Sequence, residues 1–251
     1  MDFVRLSLAG MLVLTAPAIH AQTLYSGADL NAGPGDAHPN SLAAATLFDT
    51  SAAGFGTVNL IDFESAPVGS FTSLPVAPGV VLAGGGINGN PLFIRNTPSF
   101  PAAPALDGFN VTTGGAKYVE QIGGTATFTF SNPIQAFGVY LTGVQTGFFQ
   151  DTITFNDGTF QTINVPAQQP SNSANGSLSF VGFTDPGKFI TQVTITASGS
   201  SGADAVGIDD VRYVLSPAAV PEPGSMALLF GLSLSGTAGF LAKRRRARQA
   251  P

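Results

Sequence analysis

The chain has no cysteine and no tryptophan, and only 10% of its residues are charged. Without cysteine there is no disulfide framework, no thiolate metal site and no Cys–His nucleophile. The fold must be held by its core or by bound ions. Basic side chains are few where a folded body would lie. Between Gln22 and Pro221 there are 13 acidic side chains and four basic ones, Arg95, Lys117, Lys188 and Arg212, for a net charge of −9. Nucleic acid is thereby excluded as a partner, because binding it requires cationic surface to displace counterions from phosphates. Histidine is almost missing. If the first 21 residues are removed, only His38 remains, in a proline-rich stretch. There is no Gly-x-Ser-x-Gly elbow, so neither a serine triad nor a zinc site has its residues. Paired-carboxylate glycoside chemistry is left open by spacing alone, but its clefts are normally lined with aromatics and this chain has no Trp. No enzymatic activity is expected.

Lys and Glu are also scarce, and helices draw on them for exposed faces. What is present instead suits strands and turns: 31 Gly, 18 Pro and 20 Phe, with many Thr and Ser. Val58–Phe63 partly alternates apolar and polar residues. Val80–Leu82 and Leu92–Arg95 are further short candidates. Thr125–Phe130 alternates at period two, and Ala136–Leu141 follows after Asn132-Pro133. Thr152–Phe155 and Thr159–Val165 flank Asp157-Gly158, a two-residue hairpin signal. That register sets Phe155 opposite Phe160 and Ile153 opposite Thr162. Ser177–Val181, Ile190–Ala197 and Gly207–Val214 complete the set. Many short strands between turn signals predict an all-β fold, an antiparallel β-sandwich of jelly-roll type over residues 57–215. Residues 22–56 are expected to be a loosely ordered lead-in, with one short strand or helix around Leu42–Phe48. Gly84-Gly85-Gly86 lacks the Lys and the following helix of a phosphate loop and is read as a turn.

The two ends have different chemistry. Met1–Ala21 has a positive Arg5, a short apolar run Leu6–Leu14 and small residues after it, as a secretory signal peptide does. Cleavage is expected after Ala21 or Ala18, the alternative being an uncut N-terminal anchor. At the other end, Pro221-Glu222-Pro223-Gly224 precedes an uncharged run over 225–242, just long enough for one transmembrane helix. Lys243, Arg244, Arg245, Arg246 and Arg248 follow it at once. A basic block after a span stays in the cytoplasm and leaves the body outside. This Pro-Glu-Pro, span and Arg cluster resembles the PEP-CTERM sorting signal of Gram-negative bacteria. The resemblance covers residues 220–248, within a C-terminal segment 216–251 that also holds a linker. It implies that Pro221, Glu222 and Pro223 are the substrate of an exosortase, a membrane-embedded transpeptidase-like enzyme. The implied course is export, temporary membrane anchoring, and then release to the envelope or extracellular matrix of a cell that makes exopolysaccharide.

Two acidic places lie far apart in the chain. Asp62-Phe63-Glu64 ends the first good strand, and Asp209-Asp210 sits in the last. First and last strands of a jelly roll are often neighbours, so these acids could converge. Adjacent residues on a strand face opposite ways, so one Asp should point inward and need a cation or strong hydrogen bonds. Phe63-Glu64 and Ile208-Asp209-Asp210-Val211 resemble a pair of motifs in carbohydrate-binding jelly-roll modules. There they bracket a structural Ca²⁺. The resemblance implies Glu64, Asp209 and Asp210 as calcium ligands; the alternative is that they are solvated or bonded to backbone amides. Phe148-Phe149 could stack on a sugar or tuck one ring into the core. The expected function is that of an exported, non-enzymatic envelope or matrix protein with exopolysaccharide as its expected ligand class. The alternatives are a secreted polysaccharide hydrolase and a purely structural surface protein.

Overall fold

A computed structural model describes residues 21–96, 108–145, 151–166, 177–197 and 205–217. Residues 1–20 of the expected signal peptide, Phe148-Phe149 and the whole Pro221–Arg248 segment lie outside the described residues. Among the described residues no helix is long and apolar enough to cross a membrane.

The described residues begin with β1 (Thr23–Leu30) and their one α-helix, α1 (Pro39–Ala52). Strands follow as β2 (Asn59–Ile61), β3 (Gly69–Phe71), β4 (Ser73–Ala77), β5 (Val80–Gly85), β6 (Leu92–Asn96), β7 (Lys117–Ile122) and β8 (Gly124–Val144). The last five are β9 (Thr152–Asn156), β10 (Phe160–Asn164), β11 (Ser177–Thr184), β12 (Ile190–Ala197) and β13 (Ala205–Leu215). Every pairing between them is antiparallel. The fold is all-β and sandwich-like, as the strand pattern predicts.

The long strand β8 joins the two layers. Its first part pairs with β5 and β12, and β12 leads on through β9 to β10. Its second part pairs with β11 and β13. The change of partners falls at Ser131-Asn132-Pro133. Pro133 has no N–H for a ladder, and the chain bends there without ending. The sequence break between Thr125–Phe130 and Ala136–Leu141 is therefore a corner inside one strand. The layers close on a phenylalanine core. Phe155 of β9 stacks on Phe183 of β11 at 3.9 Å between ring centres, and Phe137 lies 5.7 Å from Phe128 and 6.2 Å from Phe183.

Residues 22–56 are not a loose lead-in. β1 pairs along its whole length with β11. α1 covers the outer face of β8 and β11, so β11 is buried at all eight positions. Phe180 and Leu178 meet the helix, while Val181 and Phe183 meet the sandwich core. Phe48 is the helix's anchor. It sits over the facing glycines Gly138 and Gly182, where an added Cβ would come within 3.2 and 2.9 Å of its ring. Asp29 ties down the helix start. Its carboxylate accepts from the N–H groups of Asn40 and Ser41 at 3.0 and 2.8 Å and from the Ser41 hydroxyl at 2.7 Å. These are orphan donors of the first turn, where Pro39 supplies none. The sequence of α1 is rich in Ala and Thr and shows no strong amphipathic stripe, which is why it gave only a weak signal.

The hairpin register also differs from expectation. Phe155 pairs with Gln161, Ile153 with Ile163, and Asn156 with Phe160. The loop holds three residues, because Asp157 Oδ1 accepts from both the N–H and the hydroxyl of Thr159 and draws it into the turn. Phe160 is consequently on the surface, at 73% exposure.

Candidate functional site

Glu64 and Asp209 do converge, although 145 positions apart in number, and the element between them is a loop that carried no motif. This loop runs from Gly108 to Lys117 and crosses β13 at Gly207. An added Cβ on Gly108 would stand 2.3 Å from the Gly207 backbone, so the crossing needs glycine on both sides. Thr142 of β8 fixes the loop entry, accepting from Phe109 N–H at 2.8 Å and donating to its carbonyl at 2.9 Å.

The two carboxylates then hold the loop from below. Glu64 Oε1 accepts from the N–H groups of Ala116 and Lys117 at 2.8 and 2.7 Å. Asp209 Oδ2 accepts from Val111 N–H at 2.7 Å, and its Oδ1 from Asp210 N–H at 2.8 Å. The Asn110 amide bridges both acids, donating to Glu64 and to Asp209 at 3.1 Å each. Lys117 completes the tie by donating to the carbonyls of Glu64 and Ala66 at 2.8 and 2.7 Å. Glu64 is presented by a tight turn after β2, with Phe63 at φ 59° and Ala66 N–H bonded to the Phe63 carbonyl.

Asp209 and Asp210 do not face opposite ways. The β13–β8 register shifts between Asp209 and Arg212, and Asp210 has φ 46°. A bulge inserts one residue and re-aims the side chain that follows. Both carboxylates therefore reach the Thr112 hydroxyl, at 3.4 Å for Asp209 and 2.6 Å for Asp210. The bulge also preserves the inward phase on either side, with Val206 and Ile208 before it and Val211 and Tyr213 after it in the core. Arg212 lies across the outer face. It pairs with Asp49 of α1 at 3.3 Å and sits 5.2 Å from the Tyr140 ring.

Asp209 is fully buried. Burial pushes its carboxyl up to about 8. The Val111 N–H opposes that rise, the Asp210 charge adds to it, and the N–H groups of Asp210 and Thr112 oppose it.

These residues do not fit a calcium ion. Calcium requires six to eight oxygens directed at one point. Here Glu64 Oε1 and both Asp209 oxygens are met by N–H donors, whose positive ends repel a cation, and Asp210 is taken by the Thr112 hydroxyl and Arg212. Among the described residues no group of three or more His, Cys, Asp and Glu side chains is placed to hold a metal. The acids act as anchors for a loop. Asn110 and Thr112, which complete the arrangement, could have been suspected only from Phe-Asn before Thr-Thr-Gly-Gly, a polar turn cluster between strands.

The anchored loop forms one wall of a cleft of about 340 Å³. The turn 33–38 forms the opposite wall, and Leu178 contributes between them. The lining combines glycine backbone and threonine, Asp36, His38 and Asn110 with a larger apolar share that includes Pro34, Val111 and Leu178. Its ionisable side chains are engaged locally: Asp36 accepts from Gly33 N–H at 2.8 Å, and His38 Nδ1 lies 3.0 Å from the Asp36 carbonyl. His38 is also the N-cap residue of α1, with its ring edge-on to Tyr140 at 6.1 Å. The cleft offers hydrogen bonds and shape, without an activated nucleophile among its described residues. A second hollow of about 560 Å³ is lined by Ala28, Asp29, Leu30, Ala37, Asn40 and Pro166.

No family model matches the sequence, and no curated protein matches it. Among solved structures a GH31 α-xylosidase from Xanthomonas citri shows a faint likeness. It has 7% identity and a TM-score of 0.17, over 81% of this chain and 26% of that one. This chain thus spans about a quarter of that protein, and so low a score bears on neither fold family nor activity.

Proposed function

We propose that this is an exported, non-enzymatic protein of the cell envelope or extracellular matrix, delivered through its C-terminal segment. The observation that carries the reading is the order Pro221-Glu222-Pro223, uncharged run 225–242, and five basic residues in 243–248. Those three parts match a sorting signal that an exosortase would process. The acidic, Cys-free body, proposed to be a jelly-roll sandwich, is the cargo. Polysaccharide is the ligand class that the cleft suits. Main-chain groups and the exposed Thr113 side chain supply hydrogen-bonding groups for a neutral, hydroxyl-rich molecule, and about 340 Å³ is the size of a small-ligand site.

Two measurements test this reading. Glu222→Ala, expressed in an exosortase-positive host, is expected to accumulate as an unprocessed membrane-retained precursor while wild type is released. Normal release of the variant would overturn the sorting assignment. On a glycan array the folded protein is expected to retain exopolysaccharide fragments. A blank array from well-folded protein would leave a structural surface role without a sugar ligand.

A further inference from the structure

A second pair of acids lies away from the anchored loop, at the end of the sandwich where the β9–β10 hairpin meets the turn Asp185-Pro186-Gly187-Lys188. Asp185 is 2% exposed, and the Asp157 side chain is 6% exposed. Two buried carboxylates side by side would repel each other strongly. Their surroundings are unequal. Asp157 Oδ1 accepts from the Thr159 N–H at 2.9 Å and the Thr159 hydroxyl at 2.8 Å, and Lys188 Nζ stands 3.8 Å from its Oδ2. Asp185 Oδ2 is buried and accepts from no donor. A protonated Asp185 that donates to an ionised Asp157 removes the repulsion and leaves the single charge of the pair beside Lys188.

We propose that the proton shared by Asp185 and Asp157 is a pH-sensitive latch, which holds the tip of the β9–β10 hairpin, residues 157–159, against the 185–188 turn in mildly acidic medium and loosens it at neutral pH. β9 is bonded to β12, and Ile153, Phe155 and Ile163 hold the hairpin strands in the core, whereas the tip beyond Asn156 projects from the outermost pair of its layer, where β10 is bonded to β9 alone. The charged groups facing Asp185 are Asp157 from the hairpin and Lys188 from its own turn. β8 contributes the Gln135 carbonyl, which accepts from Asp185 N–H at 2.7 Å, and the chain after β13 contributes the Ser216 hydroxyl, which donates to the Lys188 carbonyl.

The energetics agree with the geometry. Burial pushes Asp185 up to about 6; the hydrogen bond to Asp157 and that group's charge add to the rise, and Lys188 opposes it. Burial also works against the Asp157 charge, but the Thr159 donors, the Asp185 proton and Gln161 outweigh it and hold Asp157 well below the usual range. The signs follow by linkage. Asp185 stabilises the closed end fully below about pH 4, and this stabilisation is lost as pH rises through about 6. Asp157 stabilises it above about pH 4, and this is lost in stronger acid. The latch is tightest near pH 4–5.

Amide hydrogen exchange on the full-length protein tests the latch. After correction for intrinsic rates, protection at Asp157, Thr159 and Lys188 is expected to fall on the order of tenfold between pH 5 and pH 7.5. Asp185→Asn supplies a permanent N–H donor in the same shape and is expected to keep the acid-level protection at both values. Flat protection in wild type, or an equal fall in the variant, would overturn the latch. So would restoration of wild-type protection at pH 7.5 by added Ca²⁺, which would make the pair a cation site. In wild type, the ¹³C carboxyl signal of Asp185 is expected to titrate near pH 6; a midpoint near 4 would overturn the assignment without any variant.

Discussion

Phe48→Ala is expected to destabilise the protein by about 3–5 kcal/mol, the usual cost of deleting a buried phenyl ring. Phe48 has no exposed surface. Its ring packs against Tyr25 of β1 at 5.8 Å and Phe180 of β11 at 5.6 Å. It also fills the hollow over Gly138 and Gly182. Those two glycines cannot close over the cavity, because they have no side chains to rotate into it. The loss should therefore lie at the high end, and urea unfolding would show it as a lower midpoint. The reciprocal change, Gly182→Val, would place a Cβ 2.9 Å from the Phe48 ring and push the helix off the sheet. An unchanged midpoint for Phe48→Ala would mean that α1 contributes nothing to the sandwich.

Asp209→Ala is expected to cost about 2–4 kcal/mol, because it orphans the buried N–H groups of Val111 and Asp210 together with one donor of Asn110. EDTA, in contrast, should leave the melting temperature of wild type unchanged. Loss of stability in EDTA would show that a metal sits on these carboxylates after all. Asp209 also sets a pH dependence. With its native carboxyl pushed up to about 8, the folded state keeps a proton that the unfolded state releases near pH 4. Stability from this group is full below about pH 4 and declines as pH rises toward 8. Above about pH 7, one unit past the Asp185 midpoint, the remaining slope of this pair of acids belongs to Asp209. Asp209→Asn should flatten it, read from thermal melts between pH 7 and 8.

Much of the sandwich is written locally. The alternation in Thr125–Phe130, Ile190–Ala197 and the strand around Val211 places Phe128, Val193 and Tyr213 in the core, and each is buried. Period-two patterning is a property of neighbouring residues, so it survives without knowledge of partners. β1 was not visible in this way. Leu-Tyr-Ser-Gly-Ala-Asp-Leu does not alternate cleanly, and this edge strand depends on β11 for its pairing. β11 itself reads as nearly uniform because it is covered on both faces, by the core and by α1.

The anchored loop divides in the same way. Glu64 and Asp209-Asp210 could be singled out from the chain because acids beside strand residues demand a partner. The identity of that partner depended on a contact between residues 46 and 99 positions apart from Asn110. No local pattern encodes such a contact. The bulge at Asp210 is equally silent in sequence, since Ile-Asp-Asp-Val reads as regular strand, and it alone turns two opposed carboxylates toward one threonine.

Composition and order by themselves determined the all-β class, the exclusion of disulfide and thiolate chemistry, and the acidity of the body. They did so because these depend on which side chains exist and on their period along the chain. Tertiary structure alone decided that Glu64, Asn110 and Asp209 form one knot, that the knot is built of N–H donors, and that Asp157 and Asp185 are left to share a proton. Those outcomes depend on distances of a few ångströms between segments far apart in sequence, and such distances are set only when the layers close.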